Sequence, residues 1–255
     1  MMTDLKTFNS DGISIAYRDE GAGEPVFLVH GFASNSFINW VYTGWFETLI
    51  AAGYRVIAID NRGHGESEKL YDQGLYESPM MAEDVRRLMD HCSVERAHVM
   101  GYSMGARITA FLALNHPNRL KTAVFAGLGM GMIDGVPGSA AIAEGLLAED
   151  PSKLTDPQAI AFRQFADQTK SDRQALAACI RESRAKISAE DVAKISLPVL
   201  VAIGTKDDVA GDLDRFVDIL PNATGLPIPN RNHMVAVGDK VYKAGVVNFW
   251  SSRTE

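Results

Sequence analysis

Short, uninterrupted apolar runs recur along this chain, and they constrain its fold more than any other feature. Val26-Phe27-Leu28-Val29 and Val56-Ile57-Ala58-Ile59 are the clearest, and segments 96–101, 120–126 and 198–204 are similar. A strand with one wet face alternates apolar and polar residues. A continuous run suits a strand covered on both faces of a parallel sheet. Segment 13–18 does alternate and reads as an early antiparallel strand. Helical patterns fall between the runs, at 40–52, 78–92, 104–115, 213–220 and 234–250, with Ser78 as an N-cap and Pro79 at the first helical position. Strand and helix in alternation predict an α/β fold with a mostly parallel, doubly wound sheet.

The alternation is interrupted once. From 130 to 196 there is no buried-strand run, and the stretch is rich in Ala, Glu, Lys, Arg and Gln. Pro137, Pro151 and Pro157 divide it, because proline is costly inside a helix. The expected organisation is a core formed by 1–129 and 197–255, with 130–196 as a helical cap insertion. Such an insertion would cover the carboxyl ends of the strands, where open α/β sheets bind ligands.

Gly101-Tyr102-Ser103-Met104-Gly105 lies between a predicted strand and a predicted helix. A sharp strand-to-helix turn forces its central residue into a strained conformation. Small residues two before and two after remove the clashes of that turn. The serine hydroxyl then stands clear of the backbone, with the following helix aimed at it. This is the G-x-S-x-G nucleophile elbow, with Ser103 as nucleophile.

Three more segments extend the pattern: His30-Gly31-Phe32, Asp60-Asn61-Arg62-Gly63-His64-Gly65-Glu66-Ser67 and Asn232-His233. With the elbow, they make the sequence resemble the α/β-hydrolase superfamily over nearly its whole length, in the branch of small bacterial serine esterases. The first is similar to that family's oxyanion loop, the second to its D-x-R-G-x-G-x-S turn, the third to its catalytic-histidine loop. One departure is Ala106, where many relatives carry a second glycine.

A serine hydroxyl needs a base. Of the six histidines, His91 and His116 fall at helix ends and His98 inside a strand. His64 lies in the Gly-rich turn, and His30 is placed to hold the oxyanion loop. His233 alone follows the last predicted strand, in a polar loop, and completes the order Ser…Asp…His. A carboxylate must orient it. Asp207 and Asp208 follow strand 199–204, and Asp134 is a more distant alternative. The resemblance favours Asp207, with Asp208 in reserve. Backbone N–H groups must face the developing oxyanion; Met104, after the nucleophile, and Phe32 are the expected donors. Trp40, Met130, Phe162 and Met234 are the candidate pocket residues, from a wider set that includes Phe37, Leu128, Phe165 and Val235.

The expected activity is hydrolysis of a small-molecule carboxylic ester through an acyl-enzyme. The same triad serves lactonases, thioesterases, C–C bond hydrolases and perhydrolases, so fold alone does not choose among them. A dienol-ketone substrate would want a cation from the insertion, such as Arg163, Arg173 or Arg181. The remaining alternative is a non-catalytic ligand receptor. No metal or cofactor is expected. The net charge of −7 argues against nucleic acid. Cys92 and Cys179 show no metal or redox spacing and read as free thiols. The segment Met1-Met2-Thr3-Asp4-Leu5-Lys6 lacks an apolar h-region, and there is no run of transmembrane length; the cytoplasm is the expected location. The oligomeric state is left open.

Overall fold

The computed structural model describes residues 4–253, so Met1–Thr3 of the N-terminal reading lie outside the described residues. In chain order the strands are β1 (Leu5–Ser10), β2 (Ile13–Glu20), β3 (Glu24–Val29), β4 (Tyr54–Ile59), β5 (Ala97–Tyr102), β6 (Leu120–Ala126), β7 (Val199–Gly204) and β8 (Ala223–Ile228). The helices are α1 (Trp45–Ala51), α2 (Ser78–His91), α3 (Met104–Asn115), α4 (Ser139–Leu147), α5 (Pro157–Gln168), α6 (Arg173–Glu182), α7 (Ala189–Val192), α8 (Leu213–Ile219) and α9 (Lys240–Ser251). All eight strands form one sheet in the order β1-β2-β4-β3-β5-β6-β7-β8. β2 runs antiparallel to both of its neighbours, β1 and β4, and every other pair is parallel.

The apolar runs are buried on both faces, as period-two geometry requires. Phe27, Val29, Ile57, Ile59 and Val99 enter one core, which α2, α3 and α8 cover. Val26, Leu28, Val56, Ala58 and Met100 enter the other, closed by α1 and α9 with Trp45, Leu49, Tyr242 and Trp250. The chain leaves β3 toward β4 on one side and returns to β5 on the other. The crevice at that switch point is the natural ligand site of an open parallel sheet. Val29 of β3 pairs with Gly101 of β5. The loop after β3 and the turn after β5 therefore emerge side by side.

Several local expectations need correction. β1 was not anticipated, because its mostly exposed residues carry no apolar run. The helix expected over 40–52 is split: Phe37–Val41 forms a wide turn of π type, and Gly44, at φ 77°, breaks the chain before α1. Ser78 is the first residue of α2 rather than its cap; its hydroxyl donates to the Ser183 carbonyl, and Glu77 holds the cap position. The helix expected from 234 begins at Lys240, where the Asp239 side chain accepts from the Val241 amide.

Between β6 and β7 the chain forms α4 to α7. α4 packs against both α5 and α6, whereas α7 rests on α3. Among the described residues no helix is long and apolar enough to cross a membrane.

Candidate active site

Ser103 sits at the β5–α3 turn with φ 54° and ψ −112°, a conformation that L-residues rarely adopt. Holding it there costs of order 1–3 kcal/mol, which the surrounding packing must supply. The two glycines of the motif permit the turn. A Cβ on Gly101 would lie 2.0 Å from the Gly105 carbonyl oxygen, and one on Gly105 would lie 2.0 Å from that of Val29. The Ser103 amide donates to the Ala126 carbonyl of β6 at 2.7 Å, which fixes the elbow to the sheet.

His233 is delivered by the loop after β8. Gly204, at the end of β7, lets this loop approach: its Cβ would meet the Arg231 carbonyl oxygen at 2.2 Å. The Lys206 amide donates to that same carbonyl at 3.0 Å, and the Tyr102 hydroxyl donates to the His233 carbonyl. The ring lies between two partners. Its Nδ1 is 2.9 Å from Asp207 Oδ2, and its Nε2 is 2.9 Å from Ser103 Oγ. A carboxylate can only accept, so Nδ1 carries the proton and Nε2 is left to accept from the serine hydroxyl.

The Asp207 side chain is fully buried. Its Oδ1 accepts from the amides of Val209 and Ala210 at 2.9 and 3.0 Å, so both oxygens are occupied and the carboxylate is held in place. Asp208 and Asp134 are exposed, and neither has a hydrogen bond to His233.

The loop after β3 is braced from several directions. The Gly31 amide donates to Asn39 Oδ1 at 3.1 Å. His30 accepts from the Asn61 amide at Nε2, 2.9 Å away, so its Nδ1–H donates to the Gly31 carbonyl at 2.7 Å. Asp60 receives the Ser36 amide on one oxygen and the Glu66 amide on the other. Arg62, two residues on, forks onto the buried Asp84 at 2.7 and 2.8 Å. The Gly-rich turn is thus the buttress of the loop that carries Phe32. His30 and His64 are fully buried; burial holds them well below the usual imidazole range, at about 4 and about 3, with the nearby His30 charge adding to the effect on His64. Both are neutral at ordinary pH. Gly31 lies against the elbow, where an added Cβ would come 3.4 Å from the Ser103 Cβ. Among the described residues the amides of Phe32 and Met104 donate to no protein acceptor. They are free for a ligand oxygen.

Two cavities meet at Ser103, His233, Phe32 and Phe162. The larger, about 200 Å³, is mostly apolar and includes Ile38, Tyr42, Phe165, Met234 and Val237. The smaller, about 50 Å³, is lined also by Arg107, Ser183, Arg184 and Gln158. Phe162 of α5 crosses Phe32 edge-on, with ring centroids 5.3 Å apart, at the boundary between them. Two candidate pocket residues are elsewhere. Trp40 is wholly buried and packs edge-on against Trp45, and Met130 is core, seated where Gly211 passes over it. Their apolar character is satisfied by the fold, not by a ligand. Phe37 lies under the Arg18 guanidinium, and Val235 is exposed outside both cavities. Of the insertion's cations, Arg163 is buried and ties α5 to the Gly145 and Ala148 carbonyls, while Arg173 pairs with Asp167 and Arg181 is exposed. Arg184, from the same insertion, reaches the cavity instead, joined by Arg107. The reading of the sequence missed both, and it missed Tyr102 and Asn39. Arg107 left one trace: it is the lone charge in the otherwise apolar helix MGARITAFLALN.

A family model for the alpha/beta hydrolase fold matches residues 24–183. The chain is 29% identical over 233 residues to the dihydrolipoyllysine-residue acetyltransferase component of an acetoin cleaving system from Pseudomonas putida. That match takes in 84% of this chain but 59% of the relative, so the chain spans about three fifths of that protein's length. It is 27% identical to the non-heme chloroperoxidase CPO-A1 of Kitasatospora aureofaciens, over 90% of this chain and 93% of the other. Among solved structures, the esterase RhEst1 from Rhodococcus sp. ECU1013 superposes with a TM-score of 0.79 at 28% identity, covering 100% of both chains. On its family match, its sheet topology and its full-length structural likeness, the chain belongs to the α/β-hydrolase fold family.

Proposed function

We propose that the chain is a serine hydrolase that cleaves carboxylic esters through an acyl-enzyme, with Ser103, His233 and Asp207 as its catalytic residues. The observation that supports this most is the unbroken hydrogen-bonded line from Asp207 through His233 to Ser103, opening on cavities beside two unpaired amides. The Ser103 oxygen attacks the ester carbonyl while its proton passes to His233 Nε2. The carbonyl oxygen takes the negative charge and receives the Phe32 and Met104 amides; one such donor is worth on the order of 100- to 1,000-fold in rate. As the tetrahedral intermediate collapses, the C–O bond breaks and the alcohol departs with the proton from His233. Water then gives a proton to His233 and attacks the acyl-enzyme. Ser103 recovers its proton as the carboxylic acid leaves. Asp207 stays ionised throughout and stabilises the imidazolium.

In this reading residues 130–196 act as a cap. Phe162 supports that role, since it comes from α5 and lines both cavities. The substrate is a small molecule with two arms, one for each cavity. The test is hydrolysis of short 4-nitrophenyl esters by the wild type and by Ser103→Ala. Rapid multiple turnover that disappears in the variant supports the proposal. Turnover retained in the variant contradicts it, and no turnover of any ester by the wild type would favour a ligand receptor.

A further inference from the structure

The small cavity beside Ser103 has an unusual charge balance for an acidic protein. Two arginines line it, Arg107 from α3 and Arg184 from just beyond α6, and no acidic residue does. Arg107 stands four residues, about one helical turn, after the nucleophile, on the face of α3 that continues below Ser103. It donates to the carbonyls of Gly131, Met132 and Ala185, and Arg184 donates to those of Val136 and Pro137. These are neutral acceptors. Neither arginine takes part in any ion pair found among the described residues. The carbonyl bonds fix both groups in place while leaving their charges uncompensated. Burial, and then the neighbouring Arg184 charge, pull Arg107 down to about 10, and burial lowers Arg184. Both groups are still cations at neutral pH. The positive end of α3 faces the same space.

A buried cation such as Arg107, with a second cation nearby and no acid, is expensive unless a ligand supplies the anion. Arginine also suits a carboxylate better than any other side chain, because its planar fork matches the two oxygens. Ser183 and Gln158 line the same cavity and add polar groups. Its volume of about 50 Å³ admits a few water-sized groups, enough for a carboxylate on a short stem. The larger cavity across Phe162 is apolar and has no such cations.

We infer that Arg107 and Arg184 form a carboxylate subsite, so that the ester cleaved at Ser103 carries an acidic group on one side of its scissile bond and an apolar group on the other. This rests on the serine-hydrolase reading above. The acid belongs either to the acyl part, as in a hemiester of a dicarboxylic acid, or to the alcohol part. Both place the same carboxylate in the same subsite.

The experiment compares acids with their uncharged carboxamides of the same shape. Mono-4-nitrophenyl glutarate is set against 4-nitrophenyl 4-carbamoylbutanoate for the acyl arm. The butyrate ester of 3-hydroxybenzoate is set against that of 3-hydroxybenzamide for the alcohol arm. The ratio of kcat/KM, acid over amide, is measured for the wild type, Arg184→Gln and Arg184→Lys. Arg184 is chosen because it is only half-buried, whereas Arg107 secures three carbonyls and its loss threatens folding. The expected ratio is at least about 10 in one arm for the wild type, falling about tenfold or more in Arg184→Gln and partly kept in Arg184→Lys. A ratio near or below 1 in both arms, or one that Arg184→Gln leaves alone, overturns the subsite. If no ester is turned over, the hydrolase reading fails separately, and the subsite is then read by calorimetry on Ser103→Ala. Glutarate binding more tightly than glutaramide, with the difference lost on adding Arg184→Gln, upholds it; equal binding overturns it.

Discussion

His233 Nδ1 lies 2.9 Å from Asp207 Oδ2, and the Asp207 side chain has no exposure to solvent. The opposite carboxylate oxygen is taken by the amides of Val209 and Ala210. This arrangement sets the tautomer of the imidazole before any substrate arrives. Asp207→Asn keeps the shape but lets an amide donate toward Nδ1, which moves the proton to Nε2 and blocks acceptance from Ser103. The expected loss in kcat is on the order of 10³- to 10⁴-fold. Asp208→Asn, at an exposed position, should stay within about threefold of the wild type. Steady-state kinetics on one activated ester measure both. Equal losses in the two variants would contradict the assignment.

The elbow has no tolerance for a methyl group. Gly105→Ala places a Cβ 2.0 Å from the Val29 carbonyl oxygen, a backbone atom that cannot swing away. The variant should melt at lower temperature, with an overpacking penalty of at least about 1–3 kcal/mol, and should lose reactivity at Ser103. Ala106→Gly, one residue on in the same helix, should lower stability by about 1 kcal/mol through helix propensity and leave the nucleophile reactive. Thermal melts and fluorophosphonate labelling rates separate the two.

Phe162 divides the cavities and packs on the Phe32 ring. Its removal by Phe162→Ala joins the two spaces and takes an apolar surface from the substrate. For esters with apolar arms the expected effect is an increase in KM of about 10-fold, the equivalent of about 1.4 kcal/mol of lost contact. An unchanged KM across a series of chain lengths would place the substrate elsewhere.

Stability should fall in mild acid. His30, His64 and His98 are buried and held at about 4, about 3 and about 4, with burial the largest cause in each. The unfolded chain takes up protons on all three below about pH 6.5, and the native state does not until pH approaches 4. Their influence is absent above pH 6.5 and becomes destabilising as pH drops through that window. The slope reaches about 4 kcal/mol per pH unit for the three together. Denaturant unfolding at pH 7.5, 6 and 5 measures it; equal stability at all three would contradict neutral burial of these rings.

Much of the architecture was legible because it depends on patterns that a linear sequence carries. Val26–Val29 and the other apolar runs required strands covered on both faces, and Gly101-Tyr102-Ser103-Met104-Gly105 required a sharp turn. β1 was not legible, since it is held by pairing with β2 and only Phe8 and Ser10 are buried. Trp40 and Met130 were misplaced for a related reason. An apolar side chain in a core and one in a pocket look the same in sequence, and tertiary packing alone tells them apart. Arg107 and Arg184 lie 77 residues apart and line one cavity only because the fold brings α3 and the chain just beyond α6 to its walls. Tyr102 and Asn39 act through single hydrogen bonds to distant backbone atoms, which no local spacing records.

In the proposed mechanism Ser103 carries the acyl group during turnover. Acid quenching of the enzyme within milliseconds of mixing with a 4-nitrophenyl ester, followed by intact-mass and tryptic-peptide mass spectrometry, tests it most directly. The expected result is a protein heavier by one acyl group, with the added mass on the peptide spanning residues 97–107 and localised to Ser103. Rapid ester turnover with no acylated protein, or with the acyl group on another residue, would contradict it.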